Sequence, residues 1–174
     1  KKHNKNIEIM RTHTYPFLLK HIKRKDAERD YSNIKEKEFD AFIVGSDQVW
    51  RPIYFGQDII SNAYLSFAKD WNVKRISYAP SFGTEDWEYT QEQTAECSEL
   101  LKHFNAVSVR EASAVELCKE HYGVEALHVL DPTMLLSAED YIKLFETAET
   151  PKSKGNLMCY ILDNNKEKEN IISQ

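Results

Sequence analysis

The chain has 174 residues and is 41% hydrophobic, which is enough to bury the core of one ordinary domain and the start of a second, and excludes a disordered chain. Its net charge of -5 argues against nucleic acid as the main partner, because binding phosphate backbones needs a concentrated basic excess. Three cysteines, Cys97, Cys118 and Cys159, form no CxxC pair and leave an odd count, which fits reduced thiols in a cytoplasmic protein and not a zinc site.

The first 25 residues depart from the acidic average. Eight Lys and Arg stand there against the single acid Glu8, a local charge of +7 that leaves -12 for the remainder. Such a segment is either a solvated basic helix face or a surface for an anionic lipid or a phosphate-bearing acceptor. The apolar positions Ile7, Met10, Tyr15, Phe17, Leu18 and Ile22 predict a helix within residues 7–25, interrupted by Pro16. No apolar run reaches the roughly 18 residues of a membrane span, and no apolar leader precedes the helix.

Phe39 to Val44 is the first clear strand, an apolar run that reads as buried and empties into Gly45-Ser46-Asp47-Gln48. Residues 51–63 read as an irregular loop rich in aromatics. Arg75 to Ala79 is a second strand, ending at Pro80-Ser81-Phe82-Gly83. Thr84 is the expected N-cap of a long amphipathic helix running through Phe104, with Glu85 and Asp86 in its first turn. Ala106 to Val109 is a third strand, ending at Arg110-Glu111. Ser113 to His121 is a helix stopped by Gly123, and Ala126 to Leu130 is a fourth strand that ends at Asp131-Pro132-Thr133. Ser137 to Asp140 caps a helix over 141–147, residues 149–155 are the best linker, and residues 156–163 form a strand that opens a second domain. Domain boundaries follow at 1–148, 149–155 and 156–174. The chain begins without Met and closes in mid-pattern, so it reads as a piece of a longer protein.

Strands alternating with helices, each strand finishing in a polar turn, describe a Rossmann-like α/β fold with a parallel sheet flanked by helices. In such a sheet the carboxyl ends of the strands line the ligand crevice. Gly45, Ser46, Asp47, Gln48, Ser81, Arg110 and Asp131 are therefore the candidate site residues. Asp47 can act as a base toward a hydroxyl or bond its own turn's amides. Arg110 offers a planar fork for a carboxylate or phosphate, or ties strand ends together through Glu111, Asp131 or Asp47. The turns contain no GxSxG elbow, no nucleotide fingerprint, no His and no metal-ligand spacing, so no metal or bound cofactor is expected.

Four stretches in order, Phe39-Asp40-Ala41-Phe42-Ile43-Val44-Gly45-Ser46-Asp47-Gln48-Val49-Trp50, Ser77 to Gly83, Ser108 to Glu111 and Val129 to Leu136, strongly resemble the polysaccharide pyruvyl transferase family. The resemblance implies two Rossmann-like domains facing a cleft as in GT-B glycosyltransferases, of which this chain holds most of the first. It implies transfer of the enolpyruvyl unit of phosphoenolpyruvate to two hydroxyls of a glycan or lipid-linked sugar, giving a pyruvate ketal and phosphate. Arg110 matches an Arg of the family's phosphoenolpyruvate site. The family's opening strand and Asn-x-Gly turn are absent, and its catalytic His belongs to an Arg-x-His type motif of the second domain. No His here inherits that role, and the fragment alone is expected to be inactive. Two other readings stay open: a non-catalytic sugar- or anion-binding member, and a GT-B glycosyltransferase using a nucleotide sugar.

Overall fold

The computed structural model describes residues 2–146, 155, 160–161 and 165–172. The chain divides into two compact units, Lys1–Leu135 and Leu136–Gln174. The expected linker and the strand over 156–163 fall almost wholly outside the described residues.

In the first unit, helix α1 (Lys2–His21) runs straight through Pro16. The interruption expected there does not occur, because a proline removes one backbone bond but does not by itself end a long helix. Four strands follow, β1 (Ala41–Val44), β2 (Lys74–Ser77), β3 (Ala106–Val109) and β4 (Leu127–His128). They form one sheet in the order β1-β2-β3-β4, parallel throughout, with Val44 opposite Ser77, Ser77 opposite Val107 and Ser108 opposite Leu127. The Rossmann-like parallel sheet is thus present.

The connections pass through α2 (Pro52–Phe55) with two short 3-10 turns between β1 and β2, α3 (Gln91–Leu101) between β2 and β3, and α4 (Ala112–Leu117) between β3 and β4. Val107 and Val109 pack with Trp50, Tyr64, Phe82, Cys97, Leu101, Leu117 and Tyr122 in the core. Gly123, at φ 66, stops the turn of π-helix that extends α4, as its missing side chain allows.

Three expectations shift. β1 is an edge strand with alternating exposure, and Ile43 is 68% exposed, so its apolar run reflects one packed face and not two-sided burial. The helix predicted from Thr84 starts at Gln91: Thr90 Oγ1 accepts the Gln93 N–H and the Gln93 side chain accepts the Thr90 N–H, a reciprocal cap that outcompetes Thr84. Thr84 only closes a bend by accepting the Asp86 N–H, and the intervening Trp87 and Tyr89 are drawn into the aromatic core cluster. β4 is two residues long, although the Val129 N–H still donates to Val109 O at 3.0 Å.

In the second unit, α5 (Ala138–Glu146) begins earlier than the expected 141, because Ser137 alone caps it: its Oγ accepts the Asp140 N–H while Asp140 Oδ2 accepts the Ser137 N–H. Helix α6 (Lys166–Ile172) follows. No described helix is long and apolar enough to cross a membrane.

Candidate active site

Because all four strands run the same way, the turns that follow them share one edge of the sheet. The first three of those turns are fastened to one another by backbone. Tyr78 N–H donates to Val44 O at 2.8 Å, Ser81 N–H to Asp47 O at 2.8 Å, Trp50 N–H to Ser81 O at 3.3 Å and Arg110 N–H to Pro80 O at 3.1 Å. Asp47 and Pro80 continue the parallel ladder as an isolated bridge.

Gly45 sits at φ 144, and a β-carbon there would stand 1.9 Å from the Tyr78 carbonyl oxygen. Its close approach is to the neighbouring strand's own backbone. Asp47 adopts φ 68, a left-handed conformation that an Asp tolerates better than most residues, and its side chain is 82% exposed. Ser81 has no exposed surface; its Oγ accepts the Gly83 N–H at 2.9 Å and shapes the turn. Gln48 lies against Gly83, where a β-carbon would come within 2.3 Å of its Oε1, and that same oxygen is 3.5 Å from Nη1 of Arg51.

Arg110 leaves β3 into a ring of carboxylates. Its Nε donates to Glu111 Oε1 at 2.8 Å, its Nη1 to Asp131 Oδ2 at 3.3 Å, and Asp47 Oδ1 lies 3.7 Å from the same Nη1. The Glu111 hydrogen bond, ahead of Asp131 and Asp47, holds the guanidinium even more firmly charged than usual. Asp131 is pushed down to about 2, chiefly by the Thr133 N–H and hydroxyl that donate to its Oδ1, with further help from Ser46 and Arg110. Asp47, Ser46, Arg110 and Asp131 are thus brought into one cluster, whereas Gln48 and the buried Ser81 stand beside it.

Residue-type reasoning assigned no site role to three further groups. Arg51 grips Glu88 through two bonds, Nε to Oε2 at 2.9 Å and Nη2 to Oε1 at 2.8 Å, beside Gln48 and over the Tyr54 ring. His128 Nε2 is 3.0 Å from the Arg110 carbonyl oxygen. Thr133 fixes Asp131, and here the sequence carried a signal, since an Asp in a turn commonly accepts the backbone N–H two residues on as an Asx-turn, to which the Thr133 hydroxyl adds a second bond. The described residues contain no group of three or more His, Cys, Asp or Glu able to hold a metal ion.

The family model for polysaccharide pyruvyl transferase matches residues 1–173, nearly the whole chain, including every turn just described. The chain belongs to the polysaccharide pyruvyl transferase family. No match was found among curated proteins or among solved structures. Membership indicates a transferase of polysaccharide biosynthesis with a polysaccharide acceptor. In this family member the four motifs that carry the resemblance coincide with the four strand-end turns, so the most recognisable residues are those that build one edge of the sheet.

Proposed function

We propose that this pyruvyl transferase uses phosphoenolpyruvate as donor and forms a cyclic pyruvate ketal on two hydroxyls of a glycan or lipid-linked sugar. The methylene carbon takes up a proton, the resulting oxocarbenium-like carbon is attacked by one hydroxyl, phosphate leaves, and the second hydroxyl closes the ketal. Of the two protons that leave the hydroxyls, one balances the proton taken up by the methylene carbon, which becomes a methyl group, and the other leaves on the phosphate.

Arg110 is suited to the donor's clustered carboxylate and phosphate, and Asp47 to accepting a hydroxyl proton. The observation that carries this reading is the long 3.7 Å contact between Arg110 Nη1 and the exposed Asp47. Such an exposed ion pair is worth only about 0–1 kcal/mol, so an incoming anion displaces Asp47 at small cost and frees it to serve as base beside the bound donor. Main acid–base work is expected from a His of a second, GT-B-like domain facing this one. The basic α1, with Tyr15, Phe17 and Leu19 exposed and Ile22 exposed just beyond its end, suits a cytoplasmic membrane surface that carries a lipid-linked acceptor.

The test is phosphate release by the full-length protein from phosphoenolpyruvate with a panel of glycans, together with calorimetric binding of phosphoenolpyruvate to Arg110→Ala. Release that depends on a glycan supports the reaction, and silence with every acceptor counts against it. Unchanged donor binding by Arg110→Ala removes Arg110 from the donor site. The same three carboxylates also favour a second reading, in which Arg110 only ties strand ends together and the protein binds sugar without catalysis. Glycan binding without donor binding would select it.

A further inference from the structure

The two oxygens of Asp131 have divided duties. Oδ1 accepts both the Thr133 N–H at 3.0 Å and the Thr133 hydroxyl at 2.8 Å, which fixes the carboxylate plane and turns Oδ2 toward Arg110 Nη1. Glu111 holds the guanidinium at Nε, so its plane is determined from two sides. The backbone of Arg110 is fixed as well, its N–H on Pro80 O and its carbonyl at His128 Nε2.

A guanidinium makes a two-pronged grip on an anion only when its plane is held, and an arginine free to rotate loses that advantage as side-chain entropy. We infer that Thr133 is a positioning residue: it orients Asp131, and through Asp131 it aims Arg110 at the anionic donor. This rests on the proposed role of Arg110. Thr133 reaches the donor only through Asp131 and Arg110, its hydroxyl standing three hydrogen bonds away. The alternative is that Thr133 merely closes the start of the 3-10 turn Pro132–Leu135.

The experiment uses the full-length protein with Thr133→Val, which keeps the shape and removes the hydroxyl, Thr133→Ser, which restores it, and Asp131→Asn. Phosphoenolpyruvate affinity is read by calorimetry, KM and kcat by phosphate release, and melting temperature on the same samples. The expected result is an affinity loss of about fivefold in Thr133→Val, the equivalent of one ordinary hydrogen bond. It should appear mainly in KM, be recovered in Thr133→Ser, and be larger in Asp131→Asn. A lower melting temperature with unchanged affinity and KM overturns the inference and leaves Thr133 a turn former. If Thr133→Val does not fold, unchanged donor affinity in Asp131→Asn is the overturning result. Should wild type bind donor and Arg110→Ala bind it equally well, the donor-site reading itself fails, which is distinguishable because Arg110 and Thr133 variants are then both silent.

Discussion

The carbonyl oxygen of Tyr78 occupies the place where a side chain on Gly45 would begin, 1.9 Å from the ideal β-carbon position. Two adjacent parallel strands therefore close on each other immediately before the site turn. Gly45→Ala must separate them or distort the turn. At a φ of 144 it also strains its own backbone. The expected loss is roughly 2–4 kcal/mol of unfolding free energy, measurable as a lower denaturation midpoint in urea.

The buried tyrosines make a directed chain of hydroxyls. Tyr89 donates to Trp50 O at 2.6 Å, so it must accept from Tyr64 at 2.7 Å, which leaves Tyr64 to accept from Tyr122 at 2.8 Å. Tyr64→Phe cuts the chain in the middle and strands groups on both sides, whereas Tyr122→Phe removes only its outer end. Costs of about 2–3 and about 1 kcal/mol are expected in turn. Equal effects in thermal unfolding would show that the chain does not run this way.

Burial pushes all three of these phenols upward. A raised folded value means that the stabilisation is complete below the ordinary tyrosine range near pH 10 and is lost as pH rises beyond it. In an alkaline absorbance titration these three rings should ionise only with unfolding, in one cooperative step. Smooth ionisation near pH 10 would contradict their burial.

For Asp131 the sign is opposite. Its folded value lies at about 2, below the ordinary carboxylate, so its contribution is present above about pH 4 and fades as pH falls through the unfolded value toward the folded one. Asp131→Asn should therefore be less stable than wild type at pH 6, and the gap should narrow below pH 4. A gap independent of pH would point to lost packing in place of lost charge.

Cys97 and Cys118 have no exposed surface and are both pushed up to about 12 by desolvation, so neither offers a thiolate at neutral pH. Peptide mapping after treatment of the native protein with a thiol reagent at pH 8 should find both unmodified. Labelling that begins before global unfolding would reveal local opening of α3 or α4.

The sheet and the shared edge of its strand-end turns were legible because parallel βαβ units write themselves as apolar runs broken by polar turns. Phe39 to Trp50 and Ala126 to Thr133 carry that pattern, although the strand in the second is only Leu127–His128. What was not legible depended on competition between neighbours. Thr84 and Thr90 are both acceptable caps, and only the reciprocal bond from Gln93 decides for Thr90. The apolar run of β1 cannot reveal that one of its edges is open, since an edge strand with one packed face can be as apolar as a central one. Arg75 is a further case: it looks like a surface residue of a strand, yet it is 7% exposed, and its guanidinium donates to the carbonyls of Ala68, Lys69, Trp71 and Val73. A single position in a sequence does not announce that several carbonyls elsewhere converge on it. In the site, Arg110, Asp47 and Asp131 were foreseeable from residue type and strand position, and the contact of His128 with the Arg110 carbonyl was not.

The bonds that hold the first three strand-end turns together run between main-chain atoms at Val44, Asp47, Trp50, Tyr78, Pro80, Ser81 and Arg110. That part of the scaffold does not draw on the exposed side chain of Asp47 for its integrity. Exchange at Asp47 therefore removes the proposed base while this part of the frame endures, a separation of scaffold from chemistry within one turn.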